Sequence, residues 1–159
     1  MSIIMPAKNA FPWMEECLES VIKQSYGLWE LIVVNDHSTD HTAEVLEEYS
    51  KKDGRIKHYN NNGIGIIDAL NMALQRSSGE WVTRMDADDI MPINKLETLI
   101  SALSWNKNAV ATGKVKYFSD QPVSDGYKNY EKWLNKRIDR NDHWDWMYRE
   151  CVISSANWL

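Results

Sequence analysis

Short runs of apolar residues alternate along the chain with longer segments in which apolar residues recur every three or four positions. The short runs predict β-strands, and the longer segments predict helices that bury one face. Five strands are predicted, at Ser2–Met5, Leu31–Val34, Ile56–Tyr59, Trp81–Met85 and Val110–Phe118.

The predicted helices lie between and after these strands. Pro12 suits the opening turn of the first helix, whose apolar stripe comprises Trp13, Met14, Cys17, Leu18, Val21 and Ile22. Further helices are predicted at Thr39–Lys51, at Ile66–Gln75, after Asn94 and at Tyr127–Arg140. Asn94 is followed three residues later by Glu97, which predicts a capping box.

Strands that alternate with helices of this length predict right-handed crossovers and a mostly parallel sheet flanked by helices. The predicted fold class is therefore α/β and Rossmann-like. Parallel sheets of this kind bind ligands at the carboxyl ends of their strands. The residues that follow Met5, Val34 and Met85 are therefore the places to look for chemistry.

All three of these strand ends carry polar residues: Pro6–Asn9, Asn35–Asp40 and Asp86–Asp89. Aspartates clustered at one strand end repel one another, so a fold that keeps them needs a cation or strong hydrogen-bond donors beside them. Mg²⁺ or Mn²⁺ prefers carboxylate oxygens and completes its shell with water and substrate phosphates. The spacing of Asp86 and Asp88 indicates such a metal site.

Each cluster also has a structural interpretation that the sequence leaves open. Asp86, Asp88 and Asp89 are also typical of a solvated turn that caps the following helix. For Asp36 the alternative is an Asx-turn or a helix cap. Its position after an apolar strand does not by itself show contact with a nucleotide base.

The composition excludes some functions and leaves others open. The 159 residues suit one compact domain, and the net charge of -5 argues against nucleic-acid binding. No apolar run approaches the length of a transmembrane helix, and we expect a cytoplasmic protein, with the inner face of the membrane as a further possibility. Cys17 and Cys151 fit neither a disulfide framework nor a zinc site, and we expect two structural thiols.

With these motifs in place, the chain resembles the family 2 glycosyltransferases of the GT-A fold, over about Ser2–Glu97. Four segments carry the resemblance: SIIMPAKN at 2–9, LIVVNDHSTD at 31–40, turn residues from Asn62 leading to ALN at 69–71, and SGEWVTRMDADD at 78–89. Together they are specific, although each alone is weak. The resemblance implies an inverting transfer from a nucleoside-diphosphate sugar, with UDP favoured, to a glycan, lipid or protein hydroxyl in polysaccharide or lipopolysaccharide synthesis.

The resemblance also implies roles for individual residues. It assigns nucleotide binding to Pro6, Ala7, Lys8, Asn9, Asp36, Arg84, Asp86 and Ala87, and metal binding to Asp86 and Asp88. It makes residues 1–118 the nucleotide-sugar-binding core and 119–159 the start of an acceptor-binding region. The carboxylate base of the family lies downstream of the matched region, so we expect a truncated chain whose base lies beyond Leu159.

A second departure from the family, at Lys8, and two rival functions also accompany this resemblance. Many relatives have an aromatic residue where Lys8 stands, so a cation contact is expected to replace base stacking there. Candidate bases within the chain are Asp139, Asp142, Asp145 and Glu150, and candidate acceptor-site aromatics are Trp133, Trp144, Trp146 and Trp158. The rivals are a sugar-phosphate nucleotidyltransferase, whose glycine-rich basic loop is missing after the first strand, and a non-catalytic nucleotide-binding module.

Overall fold

A computed structural model of the chain describes residues 1–105 and 108–159. The strands are β1 (Ser2–Ala7), β2 (Glu30–Asn35), β3 (Ile56–Asn60) and β4 (Val82–Arg84). The helices are α1 (Phe11–Ile22), α2 (Thr42–Lys52), α3 (Ile66–Gln75), α4 (Lys95–Leu103), α5 (Asp125–Arg140) and α6 (His143–Trp146).

The four strands form one sheet in the order β3-β2-β1-β4, and every pairing is parallel. In register, Ala7 lies opposite Asn35 on one side of β1, and Ile4 lies opposite Arg84 on the other. The predicted α/β fold with a parallel sheet is confirmed. Because β1 is central, the loops that leave β1, β2 and β4 emerge side by side at one edge.

The helices cover the sheet on both faces. Ile3 and Met5 of β1 point into a core that α1 and α2 complete on one face. Ile4, between them, points to the opposite face and packs with Ala69 and Ala73 of α3. Burying each such aliphatic side chain contributes about 1.5–3 kcal/mol to folding, so the strand positions are strongly specified.

Two features predicted after β4 are wrong. Residues 110–118 form no strand; Thr112 makes a single antiparallel bridge with Trp158. The run mixes Gly113 and three lysine or threonine positions with apolar residues, and no strand among the described residues pairs with it. Glu97 does not complete a capping box, because its carboxylate accepts from the Ser25 hydroxyl at 2.7 Å instead.

Two smaller differences concern the start of α2 and the exposure of Cys151. Helix α2 begins at Thr42, three residues later than predicted, because residues 36–41 form a loop. Cys17 is buried, whereas Cys151 is exposed, so the prediction of a structural thiol is wrong for Cys151; both are free thiols. No helix among residues 1–105 and 108–159 combines the length and the apolar character that crossing a membrane requires.

Candidate functional site

The loops after β1 and β2 hold each other in place at the carboxyl edge of the sheet. The amide of Asn9 donates to the Ser38 hydroxyl at 3.0 Å, and the amide of Thr39 donates to the Asn9 side-chain oxygen at 2.8 Å. Asn9 and His37 adopt left-handed backbone angles, with φ of 50° and 54°. Such angles are uncommon outside glycine and persist where surrounding contacts enforce them, as these reciprocal bonds do.

Asp40 fixes the first turns of both adjacent helices. Its carboxylate accepts from the Phe11 amide at 3.1 Å and from the Thr42 amide at 3.0 Å. Burial alone would raise the pKa of Asp40, but the hydrogen bonds from Thr42 and Phe11 hold it below its usual value. Asp40, and not Asp36, therefore supports the start of α2.

Asp36 is a buried carboxylate, with a relative exposure of 3%, at the carboxyl end of β2. Its Oδ1 accepts from Asn61 Nδ2 at 2.8 Å and from the Gly65 amide at 3.0 Å, and its Oδ2 lies 3.3 Å from Lys8 Nζ. The hydrogen bond from Asn61, followed by those from Gly65 and Lys8, holds the pKa of Asp36 below its usual value despite burial. Gly65 has a φ of 91°, which suits glycine.

The turn that follows β4 presents three aspartates in different environments. Asp86 is paired with Arg84, which donates from Nε at 2.8 Å, and it also accepts from the Ser155 hydroxyl at 3.3 Å. The carboxylate of Asp88 is exposed and has no hydrogen-bond or ion-pair partner among residues 1–105 and 108–159. Burial, together with the charges of Asp86 and Asp88, raises the pKa of Asp89.

Lys95 is a partly buried cation that interacts electrostatically with the acidic turn. Burial lowers the pKa of Lys95 to about 8, although the charges of Asp89 and Asp86 act in the opposite direction. Its ammonium donates to the Ala156 carbonyl at 2.7 Å. Helix α4 begins at Lys95 with Asn94 as its N-cap, so the aspartates at 86–89 do not cap it. The capping interpretation of these aspartates is therefore wrong.

One cavity of about 440 Å³ lies where these loops meet. It is lined by every residue to which the resemblance assigned a role: Pro6, Ala7, Lys8, Asn9, Asp36, Arg84, Asp86, Ala87 and Asp88. The structure thus gathers these residues around one space, and their individual roles stay predictions. The side chains of Asp36 and Asp88 face the same cavity.

Sequence reasoning missed four further lining residues: Ala10, Trp13, Gly65 and Ile66. Trp13 was expected in the buried stripe of α1, but 51% of it is exposed, although its neighbour Met14 is fully buried. Gly65 and Ile66 belong to the loop and helix that follow β3. Since β3 neighbours β2 in the sheet, a search of its carboxyl end would have included them.

The acidic turn fits a divalent cation in part. Across the described part of the chain, no three His, Cys, Asp or Glu side chains group as a complete metal cage. Mg²⁺ and Mn²⁺ do not require one, because they bind through one or two carboxylates and keep several waters. The Asp88 carboxylate, which lacks a hydrogen-bond or ion-pair partner in the described part of the chain, offers that donor set together with Asp86.

The four carboxylates considered as bases lie outside the lining of this cavity. Asp139 is paired with Lys114 at 2.7 Å, and Asp142 is paired with the buried Arg137 at 2.8 Å. Asp145 and Glu150 are exposed. Trp133 and Trp146 pack against each other and against Arg137, which supports a structural role for these two tryptophans.

Comparison with known proteins decides the family. Residues 2–155 match the family described as "Glycosyl transferase family 2". The chain belongs to this family. An uncharacterized glycosyltransferase from Haemophilus influenzae is 42% identical over 114 residues, covering 71% of this chain and 35% of that protein. WfgD from Escherichia coli, a UDP-Glc:α-D-GlcNAc-diphosphoundecaprenol β-1,3-glucosyltransferase, is 37% identical over 124 residues, covering 77% of this chain and 48% of that protein.

Solved structures agree with this family assignment. S. aureus TarS 1-349 in complex with UDP superimposes with a TM-score of 0.69 at 28% identity, over 78% of this chain and 38% of that one. The mannosyltransferase PcManGT from Pyrobaculum calidifontis, in complex with GDP-Man and Mn²⁺, gives a TM-score of 0.63 at 27% identity, over 73% and 35%. The GT-A fold of this glycosyltransferase family member is thus confirmed. The chain spans between 15% and 48% of the length of the curated relatives it matches.

Proposed function

We propose that this chain is the donor-binding part of a family 2 glycosyltransferase and that the 440 Å³ cavity receives the nucleoside diphosphate of a nucleotide sugar. One observation carries the proposal: the loops after β1, β2 and β4 bring a buried carboxylate, Asp36, and the acidic residues Asp86 and Asp88 to the same cavity. A volume of this order suits a small-molecule ligand with both apolar and polar parts.

Asp36 is suited to recognising the base of the nucleotide. An ionised carboxylate offers about four lone-pair positions, and Asn61, Gly65 and Lys8 use three of them. One position is left to accept an N–H group from a base. Because these partners keep the pKa of Asp36 low, the carboxylate stays ionised at neutral pH and accepts but does not donate.

Asp88, with Asp86, would hold Mn²⁺ or Mg²⁺ beside the diphosphate. Such a cation neutralises charge that develops on a departing nucleoside diphosphate. Asp86 is already oriented by Arg84 and Ser155, whereas Asp88 is unengaged within the described chain and exposed. The Mn²⁺ bound with GDP-Man in the related mannosyltransferase supports this assignment.

A UDP-sugar is the donor that we propose, because TarS binds UDP and WfgD uses UDP-Glc. The acceptor would be a hydroxyl of a glycan or a lipid-linked sugar, as the name of WfgD gives for that enzyme. On this proposal the reaction serves polysaccharide synthesis at the cytoplasmic face of the membrane and inverts the anomeric centre. None of the four candidate carboxylates lines the cavity proposed for the nucleotide, so the structure supports none of them as the base.

Residues 1–118 would form the donor-binding core, and 119–159 would begin the acceptor side.

Calorimetry with UDP and with GDP, each with and without Mn²⁺, tests the proposal. We expect UDP binding that strengthens about tenfold or more with Mn²⁺, because the cation offsets the repulsion between the diphosphate and the nearby carboxylates. Binding of neither nucleotide at millimolar concentration would contradict the proposal.

The variant Asp88→Ala should remove the effect of Mn²⁺ while leaving the fold intact. Asp120→Ala is the matched control, because Asp120 is an exposed aspartate outside the cavity. Nucleotide binding by Asp88→Ala that still responds to Mn²⁺ as in the unmodified chain would refute the role of this carboxylate.

A further inference from the structure

Trp13 occupies an unusual position on α1. The neighbouring residues Met14 and Cys17 are almost fully buried, whereas Trp13 is 51% exposed and borders the cavity. A half-exposed indole leaves a large apolar surface in water, which folding alone does not require. Its exposed surface lies where a ligand of the cavity would contact it.

Ile66 borders the cavity from the other side. Helices α1 and α2 cover one face of the sheet, and α3, which begins at Ile66, covers the opposite face. Ile66 is 48% exposed. The cavity therefore lies between two apolar walls, with Pro6 and Ala7 among its other lining residues. Such a lining favours a ligand that has an apolar part.

The sequence predicted a cation contact between Lys8 and the nucleotide base, and the structure makes Lys8 less suited to it. Its ammonium lies 3.3 Å from Asp36 Oδ2, so its charge is engaged by a buried carboxylate. Among the cavity-lining residues in the described part of the chain, Trp13 is the aromatic one. An aromatic surface is thus available to a ligand five positions after Lys8, from the first turn of α1.

We propose that the indole of Trp13 stacks on the nucleobase of the donor nucleotide. This inference rests on the proposed function and adds a specificity-determining residue to it. The base would lie between Trp13 and Ile66 with its polar edge toward Asp36, while the diphosphate lies toward Asp86 and Asp88. Stacking is tolerant of base identity, since every base has a π-face, so the polar edge at Asp36 would select the base.

Calorimetry of UDP and of inorganic pyrophosphate, both with Mn²⁺, tests this role. Trp13→Ala should weaken UDP binding about 10- to 100-fold, the range measured for loss of one stacked base, and leave pyrophosphate binding unchanged. Trp13→Phe keeps a π-face and should restore most of the affinity for UDP. Trp144→Ala is the matched control, since Trp144 is 79% exposed and lies outside the cavity lining.

Unchanged UDP affinity in Trp13→Ala would overturn the inference while leaving the proposed function in place. Equal losses of UDP and pyrophosphate would also overturn it, because they would show that Trp13 supports the whole site and not the base. If the unmodified chain binds no UDP with Mn²⁺, the proposed function fails and this inference fails with it. Circular dichroism of each variant verifies that the fold is kept.

Discussion

Replacing Asp36 by asparagine removes one charge from the buried end of β2 and keeps its shape. The substituted amide oxygen can still accept from Asn61 and Gly65, but as a neutral acceptor. Hydrogen bonds to charged groups contribute about 1 kcal/mol more than neutral ones, so the two bonds together lose about 2 kcal/mol. The new amide nitrogen would also face the ammonium of Lys8, which lies 3.3 Å from Oδ2 now.

The Lys8 contact adds little to this loss. The Lys8 side chain is 56% exposed, and pairs open to water contribute at most about 1 kcal/mol. The expected loss of unfolding free energy at pH 7 is therefore about 2–3 kcal/mol. In a chain of this size that lowers the melting temperature by about 4–12 °C.

Thermal denaturation followed by circular dichroism measures this difference. Asp88→Asn is the matched control: it is the same substitution in the same cavity, at an exposed and unpaired carboxylate, and should change stability by less than about 0.5 kcal/mol. Because the folded pKa of Asp36 lies below its unfolded value, its contribution is present above about pH 4 and is lost as the pH falls through the folded pKa. Equal melting temperatures for the two variants at pH 7 would refute this reasoning.

Three further predictions concern the support of the site and the sheet. Burial opposes ionisation of Glu30, but hydrogen bonds lower its pKa to about 2. Glu30→Gln should therefore lose about 2 kcal/mol of unfolding free energy at pH 7. A pH titration of stability should show this difference closing from about pH 4 down toward 2. A Cβ on Gly79 would lie 2.6 Å from the carbonyl carbon of Met1, so Gly79→Ala should cost about 2 kcal/mol in urea unfolding, whereas Gly54→Ala, with open space around it, should cost far less. Asp40→Ala should lose about 1–2 kcal/mol and speed amide exchange in the first turns of α1 and α2; unchanged exchange would contradict its role.

The pattern of apolar residues was sufficient to predict the parallel sheet. Each of the predicted strands up to Met85 is followed by a segment with helical spacing, as helical crossovers between parallel strands require. The run at 110–118 failed because alternation of apolar and polar residues does not show whether a partner strand exists. Within the described chain, Thr112 forms a single β-bridge, with Trp158, and one bridge does not make a strand.

The location of the candidate site was also predictable, whereas its details were not. The rule that ligands bind at the carboxyl ends of parallel strands led to the loops after Met5, Val34 and Met85. The contacts of Asp36 with Asn61 and Gly65 span more than 20 residues of sequence, and no local pattern encodes them. Trp13 was misplaced because helical spacing identifies an apolar stripe but does not show which of its side chains stays exposed beside a cavity.

The central claim is that the loops after β1, β2 and β4 form one nucleotide-diphosphate site. A crystal structure of this chain soaked with UDP and Mn²⁺ tests it most directly. The account predicts uracil beside Asp36 and the metal-bound diphosphate at Asp86 and Asp88, with UDP inside the cavity lined by Pro6 and Ala7. UDP bound at another surface, or a cavity left empty at saturating UDP and Mn²⁺, would contradict it.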